Sequence, residues 1–395
     1  MREAVIVSAV RTPTGSYQGS LSGFGANRLG ALVIAEAVRR AGISKDRVDE
    51  VIMGQVLPCG GGQNPAKQAA HLAGMPSAVE CLTINKVCGS GLKSVMLAAQ
   101  AVQVGDADVV VAGGMESMSN APYYLEKARF GYRMGQGVLE DHMIHDGLWD
   151  IVNDFHMGMS NEICSEKHHV SREDQDRYAA ASYQKALAAI ENGKFVDEIV
   201  PVAVPRKGGG STVFDRDECP RETPFETLAQ MPAIFKENGV GTAGNASSIS
   251  DGAAAVVVMG RDTAAALGCT PLAVIGAQAA ASDDMKYVLV APHIKAIPKC
   301  LAKEGITRED VDLWEINEAF AGSTVAVLRA LGLESAPVNV NGGSVALGHP
   351  LGCTGCRVLV TLLYEMIRRK EKIGLASLCL GGGEAVAMIV KREMK

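Results

Sequence analysis

Aromatic side chains are scarce in this sequence: Phe, Tyr and Trp together make up 5% of 395 residues, whereas 47% are hydrophobic. A core with so little aromatic bulk must be built from Ala, Val, Leu, Ile and Gly, a composition that suits a large α/β protein. A basic block is also missing and the formal net charge is −6, which argues against nucleic acid as a partner. No stretch reaches the roughly 18 uninterrupted apolar residues required by a membrane-spanning helix. The opening MREAVIVSAVRT lacks the basic leader, long apolar stretch and small-residue cleavage site of a secretory signal. The expectation is a cytoplasmic protein that engages neither membrane nor nucleic acid.

Cysteine is well represented, with ten in the chain. At this length they do not make the dense disulfide framework of a small secreted domain. Most are expected as buried small hydrophobes in a reducing compartment, leaving a few for chemistry. The chain also exceeds what one core usually supports, so two or three subdomains are expected.

Internal repetition organises the rest. GISKDRVDEVIMGQV (42–56) aligns without a gap to GITREDVDLWEINEA (305–319), and VIAEAVRRA (33–41) matches AIPKCLAKE (296–304) in pattern. CGSGLKSVMLAAQAVQVGDADVVVAGGMES (88–117) corresponds to GCTGCRVLVTLLYEMIRRKEKIGLASLCLGGGEA (352–385) with a few residues inserted. Both read as a helix with one apolar face followed by a buried strand. Two packed α/β halves related by a pseudo-twofold follow from this. The N-terminal half covers residues 1–117 plus 251–270 and the C-terminal half covers 271–395. Residues 118–250 lack the repeat and read as an inserted α+β loop domain. Its one strong helix spans 171–193, opened by Ser171 and stopped by Gly193, and RKGGGST (206–212) is loop-like. An insertion of this size is a candidate substrate cover.

Four loops could carry chemistry. Cys88 precedes a helix, where unpaired amides and the dipole favour thiolate, although a small filler also fits there. Asn317 and Glu318 end an apolar strand, as a polar site or as a turn capping the next helix. His349 lies between Gly348 and Pro350 in an unusually glycine-rich apolar loop. Four residues on, Cys353-x-x-Cys356 has dithiol spacing, but Cys356 falls on a core-facing helical position, so packing is favoured. No second CxxC or nearby His pair completes a zinc site, so no metal is expected. Cys379 lies near the end of a buried strand that runs into Gly381–Gly383, at the carboxyl edge where open α/β sheets take ligands. Under the repeat, the Cys88 and His349 loops are equivalent elements facing one crevice. A nucleophile, a base and oxyanion donors are the parts of acyl transfer.

Taken in order, VCGSGLK, GQNPAKQAA, GGMESMS, GNASS…DGAA, NEAF, NGGSVALGHPLG and CLGGG resemble the motifs of the thiolase family nearly end to end. DGLWD followed by FHMGMSNEI is similar to its short-chain acetoacetyl-CoA members. The resemblance implies a thiolase-like fold and a reversible Claisen condensation and thiolysis of acyl-CoA through an acyl-Cys88 intermediate, 2 acetyl-CoA giving acetoacetyl-CoA and CoA. It implies Cys379 as the α-proton base, and His349 as base and then oxyanion donor with a water on Asn317. The amides of Cys88 and Gly381 would form the second oxyanion site. By motif match, Arg221, Ser247, Ala243, His156, Met157, Leu148 and Phe320 would line the CoA channel, with CoA and acetyl-CoA as substrates and no tightly bound cofactor. Arg221 has a bland alternative in a surface salt bridge. The resemblance also implies a homodimer or homotetramer, with GYRMGQGVLEDHM (131–143) as the tetramer loop.

Some positions depart from the family pattern. YVLVAPHIK (287–295) replaces a glycine-containing segment, Ser248 stands where Gly is usual, and Glu384-Ala385 replaces an uncharged residue and Gly. Cys353 and Cys356 replace small residues. These put acyl-chain preference in question, so the alternatives are a thiolase for longer 3-ketoacyl-CoAs, a decarboxylating ketosynthase (opposed by the second thiol), and a thiol-redox or CoA-binding protein without turnover.

Overall fold

The computed structural model describes residues 2–393; Met1, Met394 and Lys395, at the ends of the two expected halves, lie outside them. The first half runs β1 (Ala4–Arg11), α1 (Ala26–Ala41), β2 (Glu50–Gly54), α2 (Pro65–Leu72), β3 (Glu80–Ile84), α3 (Ser90–Val104) and β4 (Val109–Ser117). After the insert, with helices α4 (Met157–Lys167) and α5 (Arg172–Glu191), comes β5 (Ser250–Gly260). The second half runs β6 (Ala273–Ser282), α6 (His293–Glu304), β7 (Leu313–Ile316), α7 (Ala321–Leu331), α8 (Leu351–Arg369), β8 (Ile373–Leu380) and β9 (Glu384–Lys391).

The repeat is visible in the punctuation. Helix α1 stops at left-handed Gly42 (φ 71°) and α6 at left-handed Gly305 (φ 76°), each leading through a short turn into the next strand. The strand order is β7-β8-β9-β6-β1-β5-β4-β2-β3. The two halves meet in a short antiparallel ladder, Val5 opposite Val274 and Ile6 opposite Ala273. Strands β1, β4 and β5 are buried at every position, because helices cover both faces and select continuous apolar runs.

Helices α3 and α8 are packed together between the halves. Leu92, Val95 and Val102 share one core with Leu359, Leu362 and Met366, and with Val110, Val256, Leu378 and Met388 from both groups of strands. On the outer faces, α1 and α2 cover the first half while α6 and α7 cover the second. Along one direction the order is α1 and α2, the first-half strands, α3 and α8, the second-half strands, then α6 and α7, the strands of both halves belonging to one continuous sheet.

The insert leaves the sheet at Ser117 and returns at its ladder partner Asp251. Helix α5 opens with the expected Ser171 cap, reciprocated by Asp174. RKGGGST is loop over 206–210, as expected, and forms the tip of a hairpin between strands 202–205 and 211–214, with Gly208, Gly209 and Gly210 all at positive φ. One expectation needs correction. The insert also has a second substantial helix, α4, whose buried positions are Gly158, Ser160, Asn161, Glu162, Cys164 and Ser165. With small and polar residues inside, it has no apolar stripe for a periodicity search to find.

His293 is buried at the start of α6 and neither ring nitrogen has a partner. Burial alone holds its pKa down to about 3. The unfolded chain therefore binds a proton that the folded one refuses, and stability is lost as pH falls from about 6.5 toward that value. His293→Val is expected to raise stability by about 1 kcal/mol at neutral pH and to flatten the acid limb, both read from thermal midpoints across pH. An unchanged acid limb would show that this imidazole is not the titrating group.

Candidate active site

Between β3 and α3 the chain makes a tight turn that lifts Cys88 ahead of the helix. Val87 adopts φ 45°, a left-handed conformation that costs a β-branched residue about 1–3 kcal/mol. The turn is held by Ser90, whose hydroxyl donates to the Val87 carbonyl (2.7 Å) and accepts from the Lys86 amide (2.8 Å). The Val87 amide donates to Asn85 Oδ1 at 2.9 Å.

Cys88 keeps a partly open face toward a cavity, but the packing around its sulfur raises its pKa to about 11. The nearby amides of Gly381 and of Cys88 itself oppose that rise. The expected helix-terminus stabilisation of thiolate is therefore outweighed by desolvation, and Cys88 rests as a thiol. Cys379 is fully buried, and its thiol is pushed up further, by burial first and then by the charge a Cys88 thiolate would carry. The two thiols are thus electrostatically coupled.

His349 has a defined tautomer. Thr354 donates its single hydroxyl proton to the Pro350 carbonyl (2.9 Å), so its oxygen must accept from His349 Nδ1 (2.7 Å). Nε2 then carries a lone pair, and it has no partner in the buried site. Burial, with a smaller contribution from Arg357, lowers the imidazole pKa to about 3. It is a neutral base at any ordinary pH.

Asn317 accepts from the Ser344 hydroxyl at 2.6 Å, and Ser344 accepts from Arg357 at 2.8 Å. The Asn317 Nδ2 is left buried without a partner. Neither Asn317 nor Glu318 caps α7, whose first residue follows Phe320 with no side-chain cap. Glu318 instead accepts from Tyr178 (2.9 Å), Ser182 (2.7 Å), Asn339 (3.0 Å) and the Val345 amide (3.1 Å). It therefore ties α5 of the insert to the chain entering the histidine loop.

Cys88, His349, Cys379 and Gly381 line one cavity of about 730 Å³, together with Arg221, Ser247, Ala243, His156, Met157, Leu148 and Phe320. Asn317 lies behind that wall and is not part of its lining. His156 accepts the Gly158 amide at Nδ1 (3.0 Å) and stacks on Phe235 (centroids 5.3 Å apart). Burial lowers its pKa, so neutral His156 presents Nε2–H as a donor. Arg221 is exposed and, among the described residues, makes no ion pair; it sits 5.7 Å from the Tyr183 ring centroid.

Sequence reasoning missed three supporting residues. Phe235 stacks under His156 and meets Phe320 edge-on at 5.7 Å. Thr354 sets the tautomer. Glu116, buried at the end of an apolar strand, accepts from the amides of Val56 (2.9 Å), Leu57 (3.2 Å) and Gly352 (2.8 Å). An acid inside a strand run such as VVVAGGMES was the available signal for it. Burial nonetheless pushes its pKa up to about 7.

An acyl-transfer site on two half-repeats of this topology defines the thiolase class, and comparison with known proteins agrees. Residues 4–262 match the family described as thiolase, N-terminal domain, and residues 269–392 match thiolase, C-terminal domain. The chain belongs to the thiolase family. It is 54% identical over 394 residues to the acetyl-CoA acetyltransferase of Pseudomonas aeruginosa and 51% identical over 394 residues to that of Cupriavidus necator, covering 100% of each chain. A crystal structure of the Bacillus anthracis acetyl-CoA acetyltransferase superposes with a TM-score of 0.97 at 42% identity, covering 99% of both chains. The thiolase-like α/β fold expected from the sequence is the fold observed.

Thr354→Val keeps the shape of the histidine pocket but removes the acceptor that fixes the tautomer. Turnover is expected to fall on the order of tenfold with little change in KM. Unaltered kcat in the folded variant would mean that Thr354 does not control His349.

Proposed function

We propose that the protein condenses two acetyl-CoA molecules to acetoacetyl-CoA and CoA, and runs the reverse thiolysis, through an acetyl group on Cys88. The observation that carries this reading is the convergence of Cys88, the unpartnered His349 Nε2, Cys379 and the Gly381 amide on one cavity. The similarity to acetyl-CoA acetyltransferases over the full chain supports the choice of acyl group.

In the first half-reaction Cys88 Sγ bonds to the acetyl carbon as His349 Nε2 takes its proton. The tetrahedral oxygen is held by the Cys88 and Gly381 amides. The carbon–sulfur bond to CoA breaks, and the leaving sulfur takes the proton from His349. In the second, the Cys379 proton passes to His349 and the Cys379 thiolate removes an α-proton from another acetyl-CoA. Its raised pKa makes that thiolate a stronger base. The enolate oxygen is met by protonated His349 and by a water on the free Asn317 Nδ2. Attack on acetyl-Cys88 forms the new carbon–carbon bond and expels the Cys88 sulfur, which recovers the proton from His349. Each oxyanion donor is worth about 10²–10³ in rate.

CoA is read as a substrate that passes through the channel. Phe320, Phe235, Leu148 and Met157 give it apolar walls, His156 and Ser247 offer polar contacts, and the unpaired Arg221 cation faces the phosphates. Residues 118–250 act as its cover, while residues 1–117 with 251–270 and 271–395 form the catalytic halves.

A second reading, thiolysis of longer 3-ketoacyl-CoAs, is favoured by a further cavity of about 760 Å³ that shares Val87, Gly147, Met157 and Gly381 with the first. A thiolysis series over acyl length separates the readings: negligible acetoacetyl-CoA activity would reject the acetyl preference.

Self-association is the third part of the proposal. Strand β3 lies at the edge of the sheet order, with Leu82 exposed, which suits pairing with a second copy. Phe130 (90% exposed), Met134 (98%) and Val138 (68%) project from the arm after β4, a cluster that suits tetramer formation. No helix among the described residues is long and apolar enough to cross a membrane; the cytoplasm remains the proposed location.

After incubation with acetyl-CoA, the peptide containing Cys88 is expected to gain one acetyl group. Cys379→Ser should still be acetylated there but lose condensation. Unmodified Cys88 in folded protein would refute the mechanism and leave a redox or CoA-binding role. For assembly, Phe130→Ser/Met134→Ser should reduce a tetramer to a dimer by light scattering; an unchanged mass would place the contact elsewhere.

A further inference from the structure

The turn carrying Cys88 and the turn following Cys379 are joined by one ion pair. Lys86 Nζ lies 2.5 Å from Glu384 Oε2, with side chains 21% and 36% exposed. Lys86 is two residues before Cys88, and Glu384 is three residues after Gly381. The pair thus closes a ring through Lys86, Val87, the packing of Val87 against Gly381 (a Cβ there would lie 3.2 Å from Val87 Cγ1), Gly382, Gly383 and Glu384. Both sides of that ring need support: Val87 is held at φ 45°, and Gly382 and Gly383 at φ 85° and 77°. Lys86–Glu384 is the one ion pair between the two turns among the described residues. Lys93, one turn into α3, also faces Glu384, and burial and Lys86 lower its pKa.

We propose that Lys86 and Glu384 are positioning residues that clamp the Gly381 turn against the Cys88 turn, keeping the two amides of the oxyanion site together on one cavity wall. A half-exposed pair contributes little to global stability. Its effect is geometric, because displacing a donor by about 1 Å can cost up to 10²-fold in rate. The proposal rests on the acyl-Cys88 reading above.

The test compares Lys86→Gln, Glu384→Gln and the charge-swapped Lys86→Glu/Glu384→Lys with wild type. Acetylation of wild-type Cys88 is measured first; if it fails, the acyl-enzyme reading falls irrespective of the clamp. The clamp requires both single variants to lose about tenfold in kcat with KM for CoA within about twofold. The decisive readout is the pH dependence of Cys88 alkylation by iodoacetamide. Direct electrostatics would move the thiol in opposite directions, up on losing the Lys86 cation and down on losing the Glu384 anion. Loss of the Gly381 donor moves it up in both. Upward shifts in both, with turnover recovered in the swapped pair, support the clamp. Opposite shifts, wild-type kcat in the single variants, or no rescue in a swapped protein of wild-type thermal stability would overturn it.

Discussion

The backbone contact between α3 and α8 is the constraint from which the site follows. A methyl group placed on Gly355 would lie 2.3 Å from the Leu92 amide nitrogen, and one on Gly91 would lie 2.8 Å from that of Cys356. Side chains at those points would hold the helices apart. With glycine there, the start of one helix brings Cys88 and the start of the other brings His349 to the same cavity wall. Glu116 completes the joint by binding the amides of Val56, Leu57 and Gly352. A buried carboxylate with three donors holds the first turn of α8 against the strand edge of the first half, at the cost of a raised pKa.

Burial also sets the resting chemistry. The same dry wall pushes both thiols up and His349 down. The ground state is therefore two thiols and a neutral imidazole, without a standing thiolate–imidazolium pair. In the proposed reaction charge appears only as substrate carbon accepts electrons, where the Cys88 and Gly381 amides on the cavity wall would meet it. Val87, at φ 45°, carries backbone strain next to Cys88.

Much of this was legible from sequence because the repeat is literal: 42–56 and 305–319 align without a gap, and their stops at Gly42 and Gly305 have the same left-handed geometry. Once the halves are equivalent, Cys88 and His349 have to share a crevice. Helix α4 was hidden because its interior is polar. The Cys88 protonation state was misjudged because a dipole is a local property, whereas desolvation depends on packing from distant segments. For Glu318 the sequence leaves a polar site and a local cap equally open; its actual partners lie 21 to 140 residues away, a relation no window along the chain can contain.

Gly355→Ala tests this dependence most directly. The variant should retain the far-ultraviolet circular dichroism of the wild type if the sheet survives, while the rate of Cys88 acetylation by acetyl-CoA falls by about 10²-fold as His349 is displaced. Acetylation at the wild-type rate in that variant would contradict the view that the glycine contact between α3 and α8 assembles the site.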